Sequence, residues 1–208
     1  MYVMTILLCV LALMTSALTS LNEAADAARK RAVACRIAIE AQELRTFALA
    51  ALGFAMQTPI GSGTVRTIDV GMLSPSSYPP PSPLSPFGEA WCGYYTRDSA
   101  TGNYELAVWP GNYAGGSPSG VTQTLEGLSK QYVAIQVLDE LTTMQNRLGN
   151  SGFLPGLSNV SGAQIYLGTA AGEVLTTLGG TATVIVSSAQ GSGVVSQEPV
   201  LLVIWPGS

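Results

Sequence analysis

No glycine and no proline interrupts the chain from Met1 to Leu52, and no charged side chain precedes Glu23. A stretch of that length without a breaker reads as helix, and its apolar pattern decides the matter. Val33, Ile37, Ala41, Leu44, Ala48, Leu52 and Ala55 recur at steps of four and three, which stacks them on one helical face. Pro59 and Gly61 then end the pattern. The expectation is one helix of about 55 residues, some 80 Å long at ~1.5 Å per residue. It is apolar all round to about residue 22 and amphipathic beyond. No single core can satisfy both halves, so the first must be met by lipid or by other chains.

Three readings of the opening compete. A cleaved export signal begins with a basic segment, and here no Lys or Arg precedes the apolar run. The small residues Ser16 to Ser20 would suit a cleavage site, but the helical pattern continues through them. A bilayer crossing needs roughly 20 apolar residues, a length that Met1 to Leu21 meets with a few Thr and Ser included. Arg29, Lys30 and Arg31 follow the span, and positive residues favour the cytoplasmic side.

The 208 residues suit one folded unit with an appendage: a helical stem over 1–57 and a head over 58–208. Only 11% of residues are charged, so the surface is solvated mainly by hydroxyls and backbone. A net charge of -4 without a long basic tract argues against a nucleic-acid partner, because phosphate neutralisation needs clustered cations. Cys9, Cys35 and Cys92 form no CxxC pair and the chain has no histidine, which argues against a zinc site. Cys35 and Cys92 either pair in an oxidising compartment or stay as thiols.

Past the stem, residues 73–88 hold six prolines and read as a stiff, extended connector. "WCGYYTR" and "NYELAVWP" flank Asp98 to Asn103 as a β-hairpin. Alternation puts Trp91, Gly93 and Tyr95 on one face and Cys92 and Tyr94 on the other, an aromatic row best suited to core and cross-strand packing. Val121, Leu125, Leu128, Tyr132, Ile135, Leu138, Leu141 and Leu148 predict a second helix, stopped at Arg147–Gly149 and lying across a sheet. "AQIYLG", "EVLTTL", "ATVIVSSA" and "PVLLVIWPG" predict four short strands, the last central because both its faces are apolar. The fold class is therefore α+β.

Catalytic chemistry has little to work with. The absence of histidine removes Ser-His-Asp and Cys-His arrangements. Ser129 and Lys130 are adjacent on a helix and point about 100° apart, which defeats a dyad. Asp139 and Glu140 read as a solvated face, and "GSGTV" and "GSGVV" lack the lysine of a phosphate loop. Cys92 has no neighbouring base. The chain is expected to be no enzyme and to carry no cofactor or metal.

An apolar N-terminal helix that turns amphipathic to about residue 55 and leads into a Gly/Ser/Pro-rich β domain resembles the type IV pilins. The likeness is closest to type IVb pilins and to the pilin-like accessory proteins of conjugative pili. It implies a structural subunit anchored in the inner membrane, then packed through its stem into an extracellular or cell-surface filament beside copies of itself or other pilins. The assembly helix would use Met1, Thr5, Leu8, Ala12, Ser16, Ala17, Ala24 and Ala28, the small residues permitting close backbone approach. Thr5 stands where the family carries Glu, and the usual C-terminal cysteine pair is missing, which moves the expectation toward a minor or accessory component. The rival reading is a membrane-tethered binding module of the periplasm or cell surface; an exported enzyme ranks third.

Overall fold

A computed structural model describes residues 2–73, 83–86, 90–110, 130–171, 174–177, 180–183 and 199–207. The chain divides into two units, Met1–Arg36 and Ile37–Ser208. Helix α1 runs from Tyr2 to Gln57. It stops where Thr58 turns back on it, the Thr58 N–H and hydroxyl both donating to the Phe54 carbonyl, with Pro59 following.

The second unit is α+β. Its sheet holds seven strands, β1 (Val65–Ile68), β2 (Trp91–Arg97), β3 (Tyr104–Pro110), β4 (Gln164–Ala171), β5 (Val174–Thr177), β6 (Gly180–Thr183) and β7 (Pro199–Trp205). They lie in the order β1-β2-β3-β7-β4-β5-β6, and every pairing is antiparallel. The expected hairpin is β2–β3, with Trp91 opposite Pro110 and Arg97 opposite Tyr104. The last strand is central as its apolar faces require: β7 pairs β3 on one side and β4 on the other, and Val200 to Val203 are fully buried. Of the third expected strand, Ala182 and Thr183 fall in β6, and Val184 to Ala189 lie outside the described residues. Strand β1 was not expected from the pattern.

Both faces of the sheet are packed. One carries Trp91, Tyr95, Leu106, Val108, Leu201 and Val203, all buried. Phe47 stacks on Trp91 at 5.9 Å, and the Arg66 guanidinium lies 5.0 Å over Phe54. The helical stripe read from spacing is the stripe that packs: Ile37, Ala41, Leu44, Ala48, Leu52 and Ala55 are buried, and Val33 is half-buried. Gly93 is small for a reason, since a Cβ there would sit 3.3 Å from Val108 and 3.4 Å from Ile68. The opposite face carries Cys92, Tyr94, Ala107, Trp109, Val200 and Leu202. Tyr94 and Trp109 meet at 5.2 Å, so the aromatic row serves packing on two fronts.

Helix α2 spans Lys130–Phe153, broken at Gly149, whose φ of 67° and ψ of 167° only glycine adopts comfortably. It contacts β4 and β7, lying on the sheet as expected, and the predicted stripe is buried in part, at Leu138 and Leu141. Ala134, Val137, Leu138 and Leu141 are buried, whereas Tyr132, Ile135 and Leu148 are exposed. The buried face thus shares Leu138 and Leu141 with the predicted stripe and adds the smaller Ala134 and Val137. Val121, Leu125 and Leu128 lie outside the described residues. So does most of the Pro-rich segment, of which Leu73 and Pro83 to Pro86 are described.

Arg45 ties the two helices of this unit together. Its Nε donates to the Phe153 carbonyl at 2.8 Å and an Nη to the Gly152 carbonyl at 3.1 Å, with the guanidinium 5.7 Å over the Phe153 ring. These carbonyls end α2 and have no helical partner, so a cation satisfies both their hydrogen bonding and the helix dipole.

Candidate functional site

The first unit consists of helix alone. Its large apolar side chains are left in solvent: Tyr2 is 88% exposed, Leu7 65%, Leu13 71% and Leu21 66%, with Met4, Leu8, Val10, Leu11, Met14 and Leu18 alongside. From Val10 to Leu21, at 100° per residue, Val10, Leu11, Leu13, Met14, Leu18 and Leu21 form a broad bulky arc. The gap beside it is filled by the smaller Ala12, Thr15, Ser16 and Thr19. Of the assembly residues read from sequence, Leu8, Ala12, Ser16, Ala17, Ala24 and Ala28 are all exposed. The side chains of Met1 and Thr5 lie outside the described set.

The hydroxyls of the small arc are already spent on their own helix. Thr15 donates to the Ala12 carbonyl at 2.9 Å, Thr19 to Thr15 at 2.6 Å and Ser20 to Ala17 at 2.9 Å. Such back-bonding removes most of the penalty for placing a hydroxyl in an apolar setting. Leaving the bulky side chains in water is costly by comparison. At about 1.5–3 kcal/mol per large side chain, the ten exposed here forfeit on the order of 10–20 kcal/mol, as much as the whole net stability of a domain.

Charge begins where this surface ends. Asp26 and Arg29 form an i,i+3 pair at 3.8 Å with both side chains mostly exposed, and Glu23, Lys30, Arg31 and Arg36 are exposed around them. Among the described residues no helix is long and apolar enough to cross a membrane.

The other sequence candidates do not converge on a site. Cys35 is exposed on α1, and Cys92 is buried on the sheet among Tyr94, Ala107 and Trp109. Asp139 and Glu140 are exposed on α2, and Ser129 lies outside the described residues. A cleft of about 310 Å³ beside the end of α2, between Asn150, Ser151, Ser158 and Ile165, holds no titratable group. Among the described residues no group of three His, Cys, Asp or Glu side chains is placed to hold a metal.

Two polar clusters that the sequence did not advertise stiffen the head. The Asp98 carboxylate accepts from the Ala100 and Thr101 N–H groups at 3.0 and 3.1 Å and from the Thr101 hydroxyl. The hydroxyl and backbone donors hold its pKa below the usual carboxylate range. Beside it, Tyr95, Tyr104 and Trp205 stack with centroids 5.5–5.9 Å apart, and Arg97 lies 5.1 Å over Tyr104. Burial, with the neighbouring Tyr104, pushes the Tyr95 phenol up to about 12. No protein-family model, curated protein or solved structure matches this chain.

Proposed function

We propose that this chain is a non-enzymatic, pilin-like subunit or accessory component of a type IV pilus or related filament, assembled through the apolar half of α1. The observation that carries the reading is the ring of exposed apolar side chains from Tyr2 to Leu21. Their cost in water is comparable to the stability of a domain, so the native surroundings of this segment are apolar. The back-bonded hydroxyls and the small arc at Ala12 and Ser16 support helix-to-helix contact, where close backbone approach supplies the dispersion energy. On this reading the partners are copies of the chain or other pilins. The inner membrane holds the subunit beforehand, and the head faces outward.

Deleting residues 2–21 tests the proposal. The shortened chain should keep the emission spectrum of its three tryptophans, Trp91, Trp109 and Trp205, all buried in the head. It should also fail to sediment with membranes or form filaments in electron micrographs of expressing cells. Filaments from the shortened chain would overturn the reading. A parent chain that enters vesicles and stays monomeric there would favour the tethered binding module instead.

A further inference from the structure

The charges that follow the apolar surface are segregated by sign along the helix. Glu23 and Asp26 come first; Arg29, Lys30 and Arg31 follow, all exposed. Two such helices placed side by side in register set acid against acid and base against base. The Asp26–Arg29 contact does little to relieve this, because an exposed pair at 3.8 Å is nearly fully screened by water.

We infer that the acidic turn Glu23–Asp26 of one copy docks against the basic turn Arg29–Arg31 of a second, parallel copy displaced along the helix axis. The inference rests on the assembly reading and specifies its contact. The centres of the two turns are separated by between five and six residues, so the displacement is about 8 Å at 1.5 Å per residue. An antiparallel pair centred near residue 27 also matches the charges. It would, however, lay Tyr2–Leu21 against residues 33–52, whose apolar stripe is already buried in its own unit. The parallel, displaced arrangement satisfies the charges and still brings apolar segment against apolar segment. Because the contact joins two different patches, one copy of the pair keeps its basic turn and the other its acidic turn unused, and addition continues.

Charge reversal tests it on the full-length chain. Changing Glu23→Lys with Asp26→Lys, or Arg29→Glu with Lys30→Glu and Arg31→Glu, should each lower the sedimentable, assembled fraction at least tenfold. Combining all five changes should restore it to within about twofold of the parent. A combined variant no better than either half overturns the proposal, as does assembly unaffected by any reversal; in both cases the assembly reading itself survives. A parent that never assembles removes both. A second measurement leaves the charges intact. In a background with Cys9 and Cys35 changed to serine, chains carrying Asn22→Cys mixed with chains carrying Ala27→Cys, two exposed positions that flank the acidic and basic turns, should cross-link on oxidation, and either alone should not. Cross-linking of the single variants in preference to the mixture would mean an in-register pair and would overturn the displacement.

Discussion

Leu44 and Leu11 belong to the same helix and have opposite surroundings, which makes their alanine variants a direct test of how α1 divides its work. Leu44 is fully buried against the sheet, whereas Leu11 is 60% exposed. Leu44→Ala removes three carbons from the core, a transfer loss of ~2.4 kcal/mol at about 0.8 kcal/mol per buried group. If roughly 50 Å³ of the space stays unfilled, the cavity adds about 1.2 kcal/mol at ~24 cal/mol per Å³. The sum is ~3.5 kcal/mol. Leu11→Ala should change stability by less than about 0.5 kcal/mol, the usual limit for exposed substitutions. The assay is guanidinium unfolding of the full chain in mild detergent, followed by tryptophan emission. All three tryptophans sit in the sheet and so report on the head alone. With a denaturant slope of about 4 kcal/mol/M, Leu44→Ala should lower the midpoint by roughly 0.9 M. Assembly should respond in the reverse order, weakened by Leu11→Ala. Equal destabilisation by the two variants would place Leu11 in a core and refute the reasoning.

Two glycines with open space at their Cβ positions should answer alanine with opposite signs. Gly53 lies within α1, so Gly53→Ala should stabilise by about 0.5–1 kcal/mol; Gly149→Ala forces a left-handed φ and should cost about 1–3 kcal/mol, both read from thermal melts. Arg45→Ala strips two donors from the end of α2 and should cost ~2–3 kcal/mol, with Arg45→Lys recovering only part in the same melts. The raised Tyr95 pKa means that the folded chain holds its proton longer than the unfolded chain. Its contribution is complete below the ordinary tyrosine value near ~10 and is lost as pH climbs toward about 12. An ultraviolet titration should show a late-ionising tyrosine that Tyr95→Phe removes. Asp98 behaves inversely: its depressed pKa gives stability above the unfolded carboxylate range that falls away as pH drops through the folded value. The protection of the Ala100 and Thr101 amides, taken relative to the intrinsic exchange rate at each pH, should therefore fall on acidification.

Much of the second unit is legible in the residues because the signals are local. The stripe from Ile37 to Ala55 follows from three- and four-residue spacing, and the β2–β3 hairpin from two aromatic runs around a polar turn. The central place of β7 follows from apolarity on both its faces. What escaped depends on distant partners. Arg45 meets carbonyls more than a hundred positions away, and nothing near it announces them. Strand β1 is four residues with Arg66 in its middle, too short to carry a period. Helix α2 was legible in part: Leu138 and Leu141 are buried as their spacing requires, but Ala134 and Val137 share that face while the bulkier Tyr132 and Ile135 face water. For the candidate surface, composition located the apolar segment, but it took the back-bonded hydroxyls to indicate why Thr15, Thr19 and Ser20 are tolerable there.

The strand order carries a consequence for biogenesis. β1, β2 and β3 form one ribbon and β4, β5 and β6 another, and the piece that joins them, β7, is the last of all the strands to leave the ribosome. Until Trp205 emerges, Leu106 and Val108 on one ribbon and Leu167 on the other have no seam to close upon. A growing chain therefore carries two unzipped halves, and the sheet can close only after β7 has been made.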